Sequence, residues 1–137
     1  MFVHLQCYSE YSLTKSLLKI NSLVFEVKNR LMPAIALTDE NNLFAAVKFY
    51  KQSLLNNVKP IIGCDVIVKD ESSFEKEYKL ILICKNYFGY KILNKLLIKE
   101  YNLSKDKSVF VFYKSWFFIN NGGLIAIFPV KDNFLTK

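Results

Sequence analysis

The chain has 137 residues, which is enough for one domain or part of one. Hydrophobic residues make up 52% of it and its mean hydropathy is +0.16, so intrinsic disorder is excluded as a description of the whole chain. Its formal net charge is +7, a balance that favours nucleic acid or an acidic partner.

The distribution of the basic residues weakens that interpretation. Arg30 is the only arginine, and the lysines are spread along the sequence with no basic cluster interleaved with aromatic residues. Lys, Asn, Ile, Phe and Tyr are all plentiful, which is typical of A+T-rich codons. We therefore attribute much of the lysine content to genome composition and expect DNA to be bound only weakly or indirectly.

The first half of the chain alternates predicted strands and helices. Residues 2–7 predict a strand, Asn21 predicts the cap of a helix that runs to about residue 31, and residues 34–38 predict a buried strand. A second helix begins at Asn41 or Asn42, and four residues at helical spacing form its predicted inner face: Leu43, Val47, Tyr50 and Leu54.

The second half continues this pattern. Residues 61–68 and 78–84 predict two more strands, Asn86 predicts the start of a third helix through about residue 100, and residues 109–113 and 124–128 are strand-like. The fold class is therefore α/β, with mostly parallel strands alternating with helices. A closed β/α barrel has about 250 residues, so the chain is a small open domain or the front portion of a larger barrel.

The three cysteines, Cys7, Cys64 and Cys84, lie within strand-like runs and have no metal or redox spacing. They predict buried free thiols in a reducing cytoplasm. No apolar run has the length of a membrane span, and the N-terminus does not have the pattern of a signal peptide. The predicted location is the cytoplasm.

Function is expected at the carboxyl ends of the strands, where α/β folds place their ligands. His4 is either a general base or a hydrogen-bonded structural histidine. Asp39 is either a metal ligand or a partner for backbone groups in the turn before Asn41. Glu40 either contacts a metal or accepts hydrogen bonds at the N-terminus of the second helix.

Several stretches, in order and at close spacing, resemble one known family: residues 2–5, 9–12, 32–39, 47–50 and 59–64. They are similar to the start of bacterial DNA polymerase III α subunits, which is their polymerase and histidinol phosphatase (PHP) domain. The resemblance covers residues 2 to about 68 well and includes residues 85–93 and 122–126, whereas residues 104–121 resemble the family poorly.

The resemblance implies a distorted β/α barrel whose active members hold zinc or manganese at the strand ends, and some of these hydrolyse phosphoesters. At the family's ligand positions this chain has Gln6, Tyr8, Lys15, Glu40 and Asp65. Glutamine and neutral tyrosine are weak ligands, and a lysine is a cation where a metal needs an anion. We therefore expect a degenerate site with no metal, no cofactor and no catalytic residue, although His4 and Asp39 lie nearby in the sequence.

The resemblance also implies a role in DNA replication. Residues 1–137 are expected to be a single, truncated N-terminal part of a PHP domain, with the best match at 2–100 and without the polymerase palm, fingers and thumb. The expected role is structural, with the remainder of the α subunit and, in some lineages, the proofreading exonuclease as partners, and no membrane. The alternatives are a stand-alone PHP-type metal-dependent phosphoesterase or 3′–5′ exonuclease, and a nonfunctional truncated relic.

Overall fold

The computed structural model describes residues 2–71, 77–104, 110–118 and 122–129. The chain divides into two compact units, residues 1–64 and 65–137. The first unit contains α1 (Ile20–Asn29), β1 (Ala34–Glu40), α2 (Ala46–Leu55) and the beginning of β2 (Lys59–Lys69). The second contains the end of β2 and then β3 (Glu77–Cys84), α3 (Tyr87–Leu103), β4 (Phe112–Tyr113), a 3₁₀ helix (Lys114–Phe117) and β5 (Leu124–Ile127).

The strands are hydrogen-bonded in the order β1-β2-β3-β5, and β4 pairs with β2. β4 runs parallel to β2, with Val68 opposite Phe112, whereas β5 runs antiparallel to β3, with Cys84 opposite Leu124. The α/β fold class is confirmed. The sheet is mixed, because the β2–β4 pair is parallel and the β3–β5 pair is antiparallel.

The core of the first unit is built on α1. Its four buried side chains, Ile20, Leu23, Val24 and Val27, recur at the spacing of one helix face. The predicted helix is confirmed, but the predicted cap is wrong. The helix begins at Ile20, which places Asn21 inside its first turn, and no side chain caps it.

Residues 2–7 do not form the predicted strand, although their backbone contacts β1. The carbonyl of His4 accepts a hydrogen bond from the Ala36 N–H at 2.9 Å, and that of Cys7 accepts one from the Thr38 N–H at 2.8 Å. The Cys7 N–H donates to the Thr38 hydroxyl at 3.2 Å. The Cys7 N–H thus donates to a side chain and not to a backbone carbonyl, and residues 2–7 pair only irregularly with β1.

The predicted inner face of α2 is wrong. The helix begins at Ala46, because residues 43–45 form turns in which the Asn42 side chain accepts a hydrogen bond from the Phe44 N–H. Phe49 is fully buried and fixes which face points inward. Three of the predicted inner residues are consequently exposed: Val47, Tyr50 and Leu54.

The second unit agrees better with the sequence. β3 is buried from Leu80 to Ile83, and α3 begins after Asn86, whose side chain accepts a hydrogen bond from the Gly89 N–H at 3.0 Å. Of the predicted strand at 109–113 only β4 is formed among the described residues, and residue 109 lies outside them. Every helix in the described part of the chain is too short or too polar to cross a bilayer.

Two glycines join α3 to the turn before β5. The Gly123 carbonyl accepts a hydrogen bond from the Lys85 N–H at 2.9 Å. A Cβ atom placed on Gly89 would overlap the Gly123 carbonyl group, with its carbonyl carbon 2.6 Å away. A Cβ atom on Gly123 would lie 2.6 Å from the Gly89 Cα. Only glycines allow these two backbones to approach so closely.

Candidate functional site

Four of the family's ligand positions contact one another in the first unit. The Lys15 ammonium lies 2.6 Å from a Glu40 carboxylate oxygen, and the side chains of this pair are only 28% and 27% exposed. The Gln6 amide donates a hydrogen bond to the Tyr8 hydroxyl at 2.7 Å. The Lys15 ammonium also lies 5.4 Å from the centre of the Tyr8 ring. We call these four residues the Lys15 cluster.

The Lys15 cluster does not fit a divalent cation. It offers one carboxylate, and that carboxylate is already paired with an ammonium, whose positive charge would repel a metal. The described residues contain no group of three or more His, Cys, Asp or Glu side chains that could hold a metal ion. Zinc and manganese sites in proteins are built from such groups.

Asp39 is held by the segment that follows residues 2–7. Its carboxylate is buried and accepts hydrogen bonds from the Ser9 N–H at 2.7 Å, the Ser9 hydroxyl at 2.7 Å and the Ser12 hydroxyl at 2.6 Å. The Ser12 hydroxyl in turn accepts a hydrogen bond from the Glu40 N–H at 3.0 Å. Both carboxylate oxygens are therefore used to anchor the loop onto the end of β1.

Sequence reasoning missed the two serines as partners of Asp39. The available signal was a pair of serines three residues apart, Ser9 and Ser12, together with an aspartate at the end of a buried strand. Buried hydroxyls need partners, and a buried carboxylate needs donors. The sequence did not show that the loop with Ser9 and Ser12 would contact the end of β1.

Glu40, His4 and Asp65 are the other candidate residues, and each has its own contacts. Glu40 lies six residues before α2 and pairs with Lys15, so its predicted role at the N-terminus of that helix is wrong. His4 is exposed, and its ring packs edge-on against Phe2 with 4.7 Å between centroids. Asp65 belongs to the second unit, where it is buried and lies 3.7 Å from the Lys79 ammonium.

The second unit contains a cavity of about 490 Å³. Side chains of β2, β3 and β5 give it a mainly apolar lining. Its polar groups include the Lys114 ammonium and the Asp70 carboxylate, which form an ion pair at 2.9 Å. Among the described residues that line it there is no histidine, serine or cysteine, so these residues supply no nucleophile with a general base.

None of the three cysteines forms a disulfide, and the predicted burial is complete only at Cys64. Cys64 is buried and its thiol donates to the Asp39 carbonyl at 3.2 Å, whereas Cys7 and Cys84 are half-buried. Burial raises the pKa of Cys7, and it raises the pKa of Cys84 to about 11. The thiolate form, which would bind a metal or attack an electrophile, is therefore disfavoured at both positions.

We expect Cys84 to react slowly with iodoacetamide while the chain is folded. A pKa of about 11 instead of 9.0 leaves roughly 100-fold less thiolate near pH 8. Peptide mapping by mass spectrometry, in buffer and in urea, measures the ratio of the two rates. Equal rates would contradict the burial of this thiol.

The same shift has a consequence for stability. Because the pKa of Cys84 is higher in the folded than in the unfolded chain, its contribution to stability is fully present below about pH 9. We expect that contribution to be lost as the pH rises from 9 towards 11. Urea unfolding across this pH range, with Cys84→Ala as the control, measures the loss.

The PHP domain family model matches residues 4–130. The chain belongs to the PHP domain family. The match confirms the resemblance seen at residues 2–68, and it also spans residues 104–121, where the sequence resembled the family poorly. The PHP region of this chain therefore includes parts of both compact units.

Curated relatives show which proteins of the family this chain is similar to. The chain is 39% identical over 126 residues to the DNA polymerase III subunit alpha of Vibrio cholerae, an alignment that covers 92% of this chain and 11% of that protein. It is 42% identical over 108 residues to the subunit of the same name from Borreliella burgdorferi, covering 73% and 9%. The chain thus spans about a tenth of the length of these relatives.

A solved structure supports the fold. An amidohydrolase from Chromobacterium violaceum superimposes with a TM-score of 0.57, covering 73% of this chain and 33% of that one at 13% sequence identity. At this identity the similarity shows the α/β fold alone and nothing of the chemistry.

Proposed function

We propose that this PHP region is a structural part of a bacterial DNA polymerase III α subunit and acts in DNA replication with a degenerate metal site. The identity to polymerase subunits supports the assignment to replication. The observation that carries the degenerate site is the ion pair between Lys15 and Glu40 at 2.6 Å. The Lys15 ammonium is already bound to the carboxylate that a metal ion would need.

The ion pair between Lys15 and Glu40 makes the binding of a metal ion unfavourable. A divalent cation that bound Glu40 would have to displace the Lys15 ammonium, and both ions would then compete for one carboxylate. The nearby Tyr8 ring, which attracts the same ammonium, adds to the cost of moving it. The neutral groups of Gln6 and Tyr8 compensate little, since their hydrogen bond already joins them.

Hydrolysis also lacks a group that could activate water. His4 is exposed and packs on Phe2, and the Ser9 hydroxyl donates to a buried carboxylate without an intervening imidazole. A nucleophile needs a general base or a metal to act near neutral pH. The described residues provide neither at the Lys15 cluster.

We expect no turnover of a generic phosphodiester or of a 3′-labelled single strand in the presence of manganese. The assay compares the wild type with Glu40→Ala and with Glu10→Ala. The second variant is a matched control, because Glu10 also pairs with a lysine, Lys48, at 3.7 Å. Turnover that disappears in Glu40→Ala and persists in Glu10→Ala would contradict the proposal and favour a PHP-type phosphoesterase or exonuclease.

The structural role needs a surface that packs on the rest of the polymerase. α2 carries an exposed apolar stripe, Val47, Tyr50 and Leu54, at positions i, i+3 and i+7 of one helix face. Their side chains are 60%, 48% and 53% exposed. A stripe of this kind on a folded unit is typical of a protein-binding face.

We expect the chain to copurify with a tagged remainder of the α subunit from the same genome. The double variant Tyr50→Ser/Leu54→Ser should bind at least ten times more weakly, because the apolar stripe is lost. Lys28→Ser, an exposed change on α1, is the control and should bind as the wild type does. Failure of the wild-type chain to copurify would contradict the structural role and leave the degenerate site untouched.

A further inference from the structure

One face of α3 carries a row of three lysines. Lys91, Lys95 and Lys99 are spaced four residues apart and all are exposed. Successive members of such a series lie about 6 Å apart along the helix axis and on the same side of it. We call these three residues the lysine row.

Carboxylates of the described residues do not neutralise the lysine row. Glu100 is the acidic residue of α3, and it is buried, with its carboxylate accepting a hydrogen bond from the Val111 N–H at 2.8 Å. Among the described residues, no lysine of the row forms an ion pair. The face therefore presents three positive charges to its surroundings.

Aromatic rings lie beside the lysine row. The Lys91 ammonium is 4.8 Å from the centre of the Tyr87 ring, and the Lys99 ammonium is 4.1 Å from that of Trp116. Tyr87 and Phe88 are 70% and 54% exposed. This corrects the sequence interpretation that no basic cluster is interleaved with aromatics, since helical spacing and the packing of the 3₁₀ helix create one.

We propose that the lysine row binds the phosphates of single-stranded nucleic acid without sequence preference. Evenly spaced cations complement the evenly spaced charges of a phosphate backbone. Exposed rings at the start of the helix provide faces on which bases stack, and an acidic peptide would make no use of this second feature. The proposal goes beyond the structural role proposed above and does not depend on the Lys15 cluster.

The test is fluorescence anisotropy with a labelled oligothymidylate of twelve nucleotides and the full chain. Binding is measured from about 20 to about 200 mM salt, because phosphate contacts weaken steeply over this range. The triple variant Lys91→Gln/Lys95→Gln/Lys99→Gln should bind at least ten times more weakly at the lowest salt. Its plot of log affinity against log salt should lose a slope of about 2, from about 0.7 for each of three contacts.

A second triple variant controls for net charge. Lys19→Gln/Lys28→Gln/Lys51→Gln also removes three exposed lysines, all in the first unit, and should bind nearly as the wild type does. Thermal unfolding of both triple variants confirms that they are folded. Tyr87→Ala should weaken binding several-fold while leaving the salt slope unchanged, because it removes stacking and no charge.

Three results would overturn the proposal. A wild-type chain that shows no saturable binding would contradict the proposed contact directly. Equal losses in the two triple variants would show that bulk charge, and not this face, attracts the strand. Equal competition by a polyglutamate peptide of the same length would assign the face to an acidic protein instead.

Discussion

Replacing Gly89 with alanine is expected to destabilise the fold by about 3 kcal/mol or more, although alanine is the better helix former by about 1 kcal/mol. The added methyl group would overlap the Gly123 carbonyl, which already accepts a hydrogen bond from the Lys85 N–H. The oxygen and the carbon of that carbonyl are backbone atoms, so no side-chain rotation relieves the clash. The start of α3 would have to move away from the turn before β5.

Gly123→Ala should have a similar effect, because its Cβ would lie 2.6 Å from the Gly89 Cα and 3.0 Å from the Asn86 side-chain oxygen that caps α3. Gly122→Ala is the matched control. A Cβ at Gly122 meets no atom within 4 Å, so we expect a change within about 0.5 kcal/mol. Urea unfolding measures the free energy of unfolding of all three variants. A Gly89→Ala variant as stable as the wild type would refute the close approach of the Gly89 and Gly123 backbones.

Asp39→Ala is expected to cost about 3 kcal/mol. Three donors lose their acceptor, and the Ser9 and Ser12 side chains are themselves buried, so water does not replace the lost bonds. The loop of residues 9–12 should detach from the end of β1 before the rest of the unit unfolds. Hydrogen exchange of the Ser9 N–H, which donates to Asp39, should quicken more than that of α1.

Glu26→Ala is the control for Asp39→Ala. Glu26 also forms an ion pair, with Arg30 at 3.5 Å, but both side chains are more than half exposed. Exposed pairs of this kind contribute about 0–1 kcal/mol. If the two variants lost equal stability, the serine network around Asp39 would not be the anchor that its geometry indicates.

The sequence predicted the elements whose signals are local. β3 is an apolar run, and α3 begins at an asparagine cap that the structure confirms. The predictions were wrong where tertiary contacts determine the local structure. Phe49 turned α2 so that Val47 and Tyr50 are exposed, and the Thr38 hydroxyl broke the ladder that residues 2–7 would have formed.

The candidate site shows the same division. The family resemblance supplied the identities of Gln6, Tyr8, Lys15 and Glu40, and their chemistry argued against a metal. That these side chains pair with each other is a tertiary fact, which the residue types alone did not give. The lysine row on α3 was present in the sequence as a four-residue spacing, but its aromatic neighbour Trp116 comes from a distant segment.

We propose that the protein's own side chains, and not a metal, satisfy one another at the ligand positions Gln6, Tyr8, Lys15 and Glu40. Elemental analysis of the full chain, purified without chelator and then equilibrated with zinc or manganese, tests this most directly. We expect far less than one bound metal per chain and no change in Tm on adding either ion, since Lys15 and Glu40 already satisfy each other. One or more equivalents of zinc or manganese, lost in Glu40→Ala and kept in Glu10→Ala, would contradict the account.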